Sequence, residues 1–104
     1  MSLSMISYTV RCEITDSEVA ENWLRWLKDQ HISDVVSAGA KCGDVFEMDH
    51  DSKARLFEIR YQFENRASFE KYVSEHAPRL REEGLEKFPL ELGLSYSRSS
   101  GELI

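Results

Sequence analysis

The chain predicts an α+β domain with the element order β-α-β-β-α-β. Two observations carry this. Residues 5–14, 54–64 and 89–98 alternate apolar and polar side chains with a period of two, the signature of half-buried strands. Between them, apolar side chains recur at helical spacing behind residues suited to cap a helix. The chain has 104 residues, of which 41% are hydrophobic and 31% charged, with two prolines and five glycines. That is one domain's worth of chain with enough apolar surface for a core, and it excludes disordered, collagen-like and disulfide-scaffold classes.

The first strand spans residues 5–14, with Ile6, Tyr8, Val10, Cys12 and Ile14 on one face and Ser7, Thr9, Arg11 and Glu13 on the other. Thr15-Asp16-Ser17-Glu18 has the spacing of a capping box, with Thr15 as the cap. Ile14 and Val19 are placed as its hydrophobic staple. In the helix that follows, Ala20, Trp23, Leu24 and Leu27 share a face, His31 continues it, and Trp26 lies on its edge. Ser33-Asp34-Val35-Val36 reads as a new cap and short turn, stopped by Gly39.

A second strand is expected over residues 41–49, with Cys42, Phe46 and Met48 as its apolar members. Asp49-His50-Asp51-Ser52-Lys53 is a polar loop. Residues 54–64 alternate most clearly, with Phe57, Ile59, Tyr61 and Phe63 inward. Asn65 caps the next helix, where Phe69, Tyr72, Val73 and His76 share a face. Pro78 disfavours helical angles at Ala77, so a break is expected at His76-Ala77. A further short helix follows, with Leu80, Gly84 and Phe88 inward. The last strand covers 89–98, with Leu90, Leu92, Leu94 and Tyr96 in register.

Right-handed crossovers on one antiparallel sheet give the split βαβ, or ferredoxin-like, fold, here over residues 5–104. Both helices cover one sheet face. The other carries Thr9, Arg11, Glu13, Glu58, Arg60 and Gln62 and is either solvated or built into a symmetric partner. Fold-level analogy points to a homodimer, a dimeric α/β barrel.

Three signatures resemble an uncharacterised bacterial family of about this size. They are Trp23-Leu24-Arg25-Trp26-Leu27 with His31-Ile32-Ser33-Asp34-Val35 and Gly39, then Tyr72-Val73 with His76-Ala77-Pro78-Arg79-Leu80-Arg81, and Arg60-Tyr61-Gln62-Phe63. The resemblance covers nearly the whole chain from Met5. It implies a domain of unknown function with a ferredoxin-like fold, similar to the dimeric α/β-barrel superfamily, and it supplies no reaction. The family often has Pro after His-Ile where this chain has Ser33, which softens that turn.

Thirteen Lys and Arg against nineteen Asp and Glu give a net charge of -6. An acidic chain argues against nucleic acid, whose phosphates favour a basic face. RNA-recognition domains share this element order but place stacking aromatics on the open face, whereas Phe57, Tyr61 and Phe63 fall on the buried one. No apolar run approaches the ~18 residues of a membrane span, so no membrane partner is expected. The first residues lack the zones of a signal peptide, so a cytoplasmic location is expected. Residues 1–4 read as a foreign leader ahead of a natural start at Met5. Cys12 reads as a small core residue. Cys42, beside Lys41, has no partner spaced for a redox pair or a zinc knuckle.

Candidate site residues are Trp23, Trp26, His31, His76 and Arg79. His31 and His76 end their helices on the apolar side. The structural reading makes them caps for helix carbonyls. The functional reading is a pocket between helices and sheet, floored by tyrosines, walled by Trp23 or Trp26 and anchored by both histidines. Arg79 stands near His76 and could hold an anion. Asp34, three residues from His31, is either its orienter or a first-turn acid, and the structural role is preferred. Asn22 and Trp23 are adjacent, so their side chains diverge on a helix. No H-x-x-x-H or E-x-x-H spacing is present, Asp49-His50-Asp51 reads as a solvated turn, and no metal or cofactor is expected. No catalytic residue is assigned, because no nucleophile or oxyanion donor accompanies the histidines. The chain therefore reads as a small homodimeric binding or interaction domain, with a small molecule as candidate ligand. The alternative is a monooxygenase-like enzyme of the dimeric-barrel type, acting on a small aromatic or carbonyl compound with His31 or His76 as base.

Overall fold

The computed structural model describes residues 4–104; residues 1–3, most of the segment read as a leader, lie outside them. The strands β1 (Ile6–Ile14), β2 (Cys42–Met48), β3 (Arg55–Phe63) and β4 (Leu94–Glu102) form one antiparallel sheet in the order β2-β3-β1-β4. β1 is central. It pairs with β3 from Ile6↔Phe63 to Ile14↔Arg55 and with β4 from Ile6↔Glu102 to Ile14↔Leu94. Its inward residues Ile6, Tyr8, Val10, Cys12 and Ile14 are buried, as the period-two pattern requires. This is the ferredoxin-like α+β fold, with its helical crossovers on one face.

The first crossover contains α1 (Ser17–Trp26), a π-helical turn (Leu27–His31) and α2 (Ile32–Ser37). Asp16, rather than Thr15, is the cap, and its carboxylate accepts from the amides of Glu18 and Val19 at 2.9 and 3.0 Å. Thr15 is drawn away because its amide donates to the Gly93 carbonyl at 3.1 Å. No new cap forms at Ser33-Asp34. The backbone stays right-handed helical at Trp26, Leu27, His31 and Ile32, and the Ile32 amide reaches back five residues to the Leu27 carbonyl. The expected stop does fall at Gly39. The Ala40 amide donates to Val35 and the Gly39 amide to Val36, the two bonds of a Schellman motif.

The second crossover has α3 (Arg66–Glu75) and α4 (Ala77–Lys87), separated at His76. Asn65 caps α3 in a reciprocal box with Ser68, and Pro78 sits in the first turn of α4, both as expected.

Two strand expectations are corrected. In β2 the inward residues are Gly43, Val45 and Glu47, opposite Tyr61, Ile59 and Phe57. Cys42, Phe46 and Met48 lie on the open face, where Phe46 is 42% exposed under the Arg60 guanidinium, 4.3 Å from its ring centre. Leu90 and Leu92 do not belong to the last strand. They form a 3-10 turn that Gly93 closes at a left-handed φ of +99°. Both leucines are half exposed, and β4 begins only at Leu94.

Aromatic rings fill much of the space between helices and sheet. Phe63 packs on Phe69 and Tyr72, each with ring centres 5.2 Å apart, and Trp23 on Phe57 at 5.3 Å. At the other end Arg55 ties the β2–β3 hairpin to α1. It grips Glu47 with two hydrogen bonds at 2.9 and 3.0 Å and reaches Glu21 at 2.7 Å.

Gly43 is a point of close approach. A Cβ there would stand 2.6 Å from the Tyr61 ring and 3.1 Å from Ile32 Cγ2. Tyr61 is 1% exposed, and its ring is held beside Tyr8 with ring centres 6.0 Å apart. Gly43→Ala is therefore expected to cost ~1–3 kcal/mol of stability by overpacking. Gly101→Ala, with open space around it, should leave stability within ~0.5 kcal/mol. Denaturant midpoints of the two variants check the pair.

Candidate functional site

A cavity of about 390 Å³ lies between the helix-facing side of the sheet and the helices, within the range of small-molecule sites. Tyr8, Ile59, Tyr61, Tyr96 and Arg98 rise from the sheet as its floor. Trp23, Trp26 and His31 form one wall; Leu80, Arg81 and Gly84 of α4 form another. Gly84 lets α4 come close, since a Cβ there would lie 3.1 Å from Trp26 Cη2.

Three of the five expected site residues meet here. Trp23 donates from Nε1 to the Tyr96 hydroxyl at 3.0 Å, linking α1 to the edge strand β4. Trp26 stacks on His31 with ring centres 4.5 Å apart and planes at 24°. Residues five apart point about 140° away from each other on a regular α-helix. The wider π turn between them lets these two rings meet. Burial lowers the His31 pKa from 6.5 to about 4, against the opposing pull of Asp34, with Arg98 pushing the same way as burial. The imidazole is therefore neutral at neutral pH.

His76 and Arg79 lie elsewhere. They border a shallow outer depression with Asp34, Ser37, Ala38 and Glu83. Arg79 Nη2 is 3.3 Å from His76 Nδ1, and Arg79 Nη1 is 3.7 Å from Glu83. The inward stripe of α3 does not carry on to His76, because the backbone there leaves helical geometry at φ -123°. Ala77 takes the buried place instead. The expected pocket with two histidine anchors thus has one, and Arg79 belongs to the outer surface.

The tyrosine floor is strongly desolvated. Burial raises the Tyr61 pKa far above its ordinary value, with Tyr72 and Tyr8 adding to it. Burial likewise pushes Tyr72 up to about 12 and raises Tyr96. Tyr61 Oη and Trp26 Nε1 are buried polar atoms with no hydrogen-bond partner among the described residues. Leaving such a group unpaired costs ~1–3 kcal/mol.

Arg81 and Arg98 were not anticipated. Arg81 donates to the Tyr8 hydroxyl at 3.2 Å, and the Arg98 guanidinium sits 5.4 Å from the Tyr96 ring centre. The alternation Leu94, Tyr96, Arg98 along β4 was a usable signal for Arg98. Arg81 follows the inward Leu80 on the edge of α4's face; it ends the His76–Arg81 signature, which resembles the family's but assigns it no role.

The chemistry within reach is limited. Burial raises the Cys12 thiol to about 12, so it stays protonated and a poor nucleophile. A neutral His31 with a pKa of about 4 is a weak base at neutral pH. Among the described residues, no group of three or more His, Cys, Asp or Glu is placed to hold a metal ion, and no helix is long and apolar enough to cross a membrane.

The His31 shift has a consequence for stability. Its folded pKa lies below the unfolded value, so the unfolded chain takes up the proton first as pH falls. Its stabilising contribution is complete above about pH 6.5 and is lost as the pH drops to about 4. In thermal melts, His31→Gln is expected to reduce the fall in melting temperature across that window.

No curated protein matches the chain. Solved structures with the same fold do. A dimeric ferredoxin-like protein from an uncultured marine organism superposes with a TM-score of 0.72 at 14% identity, covering 97% of this chain and 96% of its own. A Bacteroides thetaiotaomicron protein of unknown function, described as a possible oxidoreductase, gives 0.68 at 15%, covering 98% and 100%. A dimeric protein of unknown function and ferredoxin-like fold from Bacteroides fragilis gives 0.64 at 12%, covering 95% and 96%. At these identities the likeness is one of fold. Residues 5–95 match the family described as Domain of unknown function (DUF4286), and the chain belongs to that family.

Proposed function

We propose that the chain is a single binding domain over residues 5–104 that forms a homodimer in the cytoplasm and holds a small, largely apolar ligand in the helix–sheet cavity. The observation that carries this is Tyr61, which lines a cavity of about 390 Å³ and whose buried hydroxyl has no partner among the described residues. A phenylalanine would fill the same space without stranding a polar atom. A hydroxyl kept there at a cost in stability is explained by a ligand that bonds to it.

Two observations support the homodimer. Similar structures are described as dimeric ferredoxin-like proteins. The open sheet face also carries the exposed Phe46 beside Met48, within a field of paired charges that includes Arg11–Glu58 at 3.1 Å and Arg60–Glu58 at 2.9 Å. Two free cysteines suit a reducing compartment.

An enzymatic reading has one observation in its favour, a neutral imidazole in the cavity. A base with a pKa of about 4 gains little from accepting a proton at neutral pH, and His76 lies outside the cavity. Binding without chemistry is the better reading.

Both tryptophans of the chain line the cavity, so their emission reports its occupancy. Titration with cinnamamide is expected to quench it saturably, and Tyr61→Phe to weaken that binding while raising the melting temperature of the free protein. A flat titration counts against the ligand. For the dimer, light scattering is expected to give twice the chain mass, and Phe46→Lys to give one chain mass with an unchanged circular dichroism spectrum. A wild-type monomer removes the dimer from the proposal.

A further inference from the structure

We infer that the ligand of this cavity is an aromatic carboxylate, with its ring against Trp26 and its carboxyl group held between Arg81 and Arg98. This deepens the binding reading above and rests on it. The argument begins with where the arginines of this acidic chain find their counter-charges. Arg11, Arg55, Arg60, Arg66 and Arg79 each stand within 4 Å of a glutamate carboxylate. Arg25, Arg81 and Arg98 do not, among the described residues; Arg25 is exposed, donates to Asn22 Oδ1 and lies outside the cavity. Arg81 has the Tyr8 hydroxyl, a neutral partner, and Arg98 has the face of Tyr96. Nineteen acidic residues are available in the chain, yet none lines the cavity.

The placement of the two guanidiniums adds to this. They come from opposite sides, Arg81 from α4 and Arg98 from β4, where it faces Val10 across the strand pair. The Arg98 charge is felt at its strand neighbour Tyr96 and, across the cavity, at His31 and Tyr72, and Arg81 is felt at Tyr72. Arg81 is half-buried and Arg98 is exposed, and both line the cavity, so an anion between them would be drawn by two positive charges while its apolar part enters the space below. Planar guanidinium forks match a carboxylate with two parallel hydrogen bonds. The rest of the lining is mostly flat and apolar, two indoles, the tyrosine rings, Ile59 and Leu80 among it, with His31, Ser95 and the tyrosine hydroxyls as its polar groups. That combination selects a ring system carrying one carboxylate and excludes sugars and polyanions, which would strand polar groups against the rings.

The test is calorimetric titration of the intact protein at neutral pH and low salt with two matched pairs, cinnamate against cinnamamide and 2-naphthoate against 2-naphthamide. The acids are expected to bind about ten-fold or more tightly than the amides, the scale of a charge-assisted hydrogen bond. Arg98→Gln and Arg81→Gln should each bring that ratio close to one, and circular dichroism spectra matching the wild type show that the variants are folded. Raised salt should weaken the acids alone. Equal binding of acid and amide overturns the anion inference and leaves the binding domain standing. So does a preference that survives both substitutions. If none of the four compounds binds, the ligand-binding reading itself fails and takes this inference with it.

Discussion

β1 is paired along both edges over all nine of its residues, and the alternation of its side chains therefore decides what the helices pack on. Ile6, Tyr8, Val10, Cys12 and Ile14 face them. A slip of one residue would put Ser7, Thr9, Arg11 and Glu13 under the helices, stranding two charges and two hydroxyls in an apolar layer. That penalty holds the register. With it fixed, Tyr8 stands beside Tyr61 on β3 with ring centres 6.0 Å apart. Val10 pairs with Arg98 on β4 and Cys12 with Tyr96. The floor of the cavity is a direct product of strand pairing, and it is rigid for the same reason.

The walls have a different origin. α4 comes close because Gly84 has no side chain to hold it off, and Trp26 fills the room this leaves, packed also on Phe88 at 5.7 Å. Between these surfaces sit groups that an optimised core would not contain: a hydroxyl and an indole N–H without partners among the described residues, and an imidazole held neutral by burial. Each lowers the stability of the empty protein. Their concentration in one place, while the far end of the sheet is closed by fully bonded contacts such as Arg55 with Glu47 and Glu21, is the pattern of a domain that gives up stability at a site.

Much of the fold was legible in the sequence because it rests on strong local signals. The alternation in β1 and β3, the Asn65 cap and the proline after Ala77 each constrain a few residues in one way. β2 was misphased because Phe46 and Met48 look like core residues in isolation. The true inward position, Gly43, is set by a tyrosine on another strand. Leu90 and Leu92 continued the alternation of the last strand on paper, and only the left-handed Gly93 and its bond to Thr15 show that the chain turns there. The tyrosine floor and the tryptophan wall followed from periodicity. The exclusion of His76 did not, since it depends on one non-helical backbone pair at the end of α3. Arg81 and the missing partner of Tyr61 are relations between elements distant in sequence, which no spacing rule encodes.

The π turn gives the helix before β2 one residue more than a regular α-helix of the same span. Such an added residue would ordinarily swing everything after it by about 100°. Here the widened turn absorbs it, so Val35 is buried and the helix still closes on Gly39. Lys28, Asp29 and Gln30 all point to solvent. Across this stretch, then, the count of residues is less binding than it looks: a single deletion would return the turn to regular α geometry, keep Val35 in phase and leave His31 four residues from Trp26, on the same face.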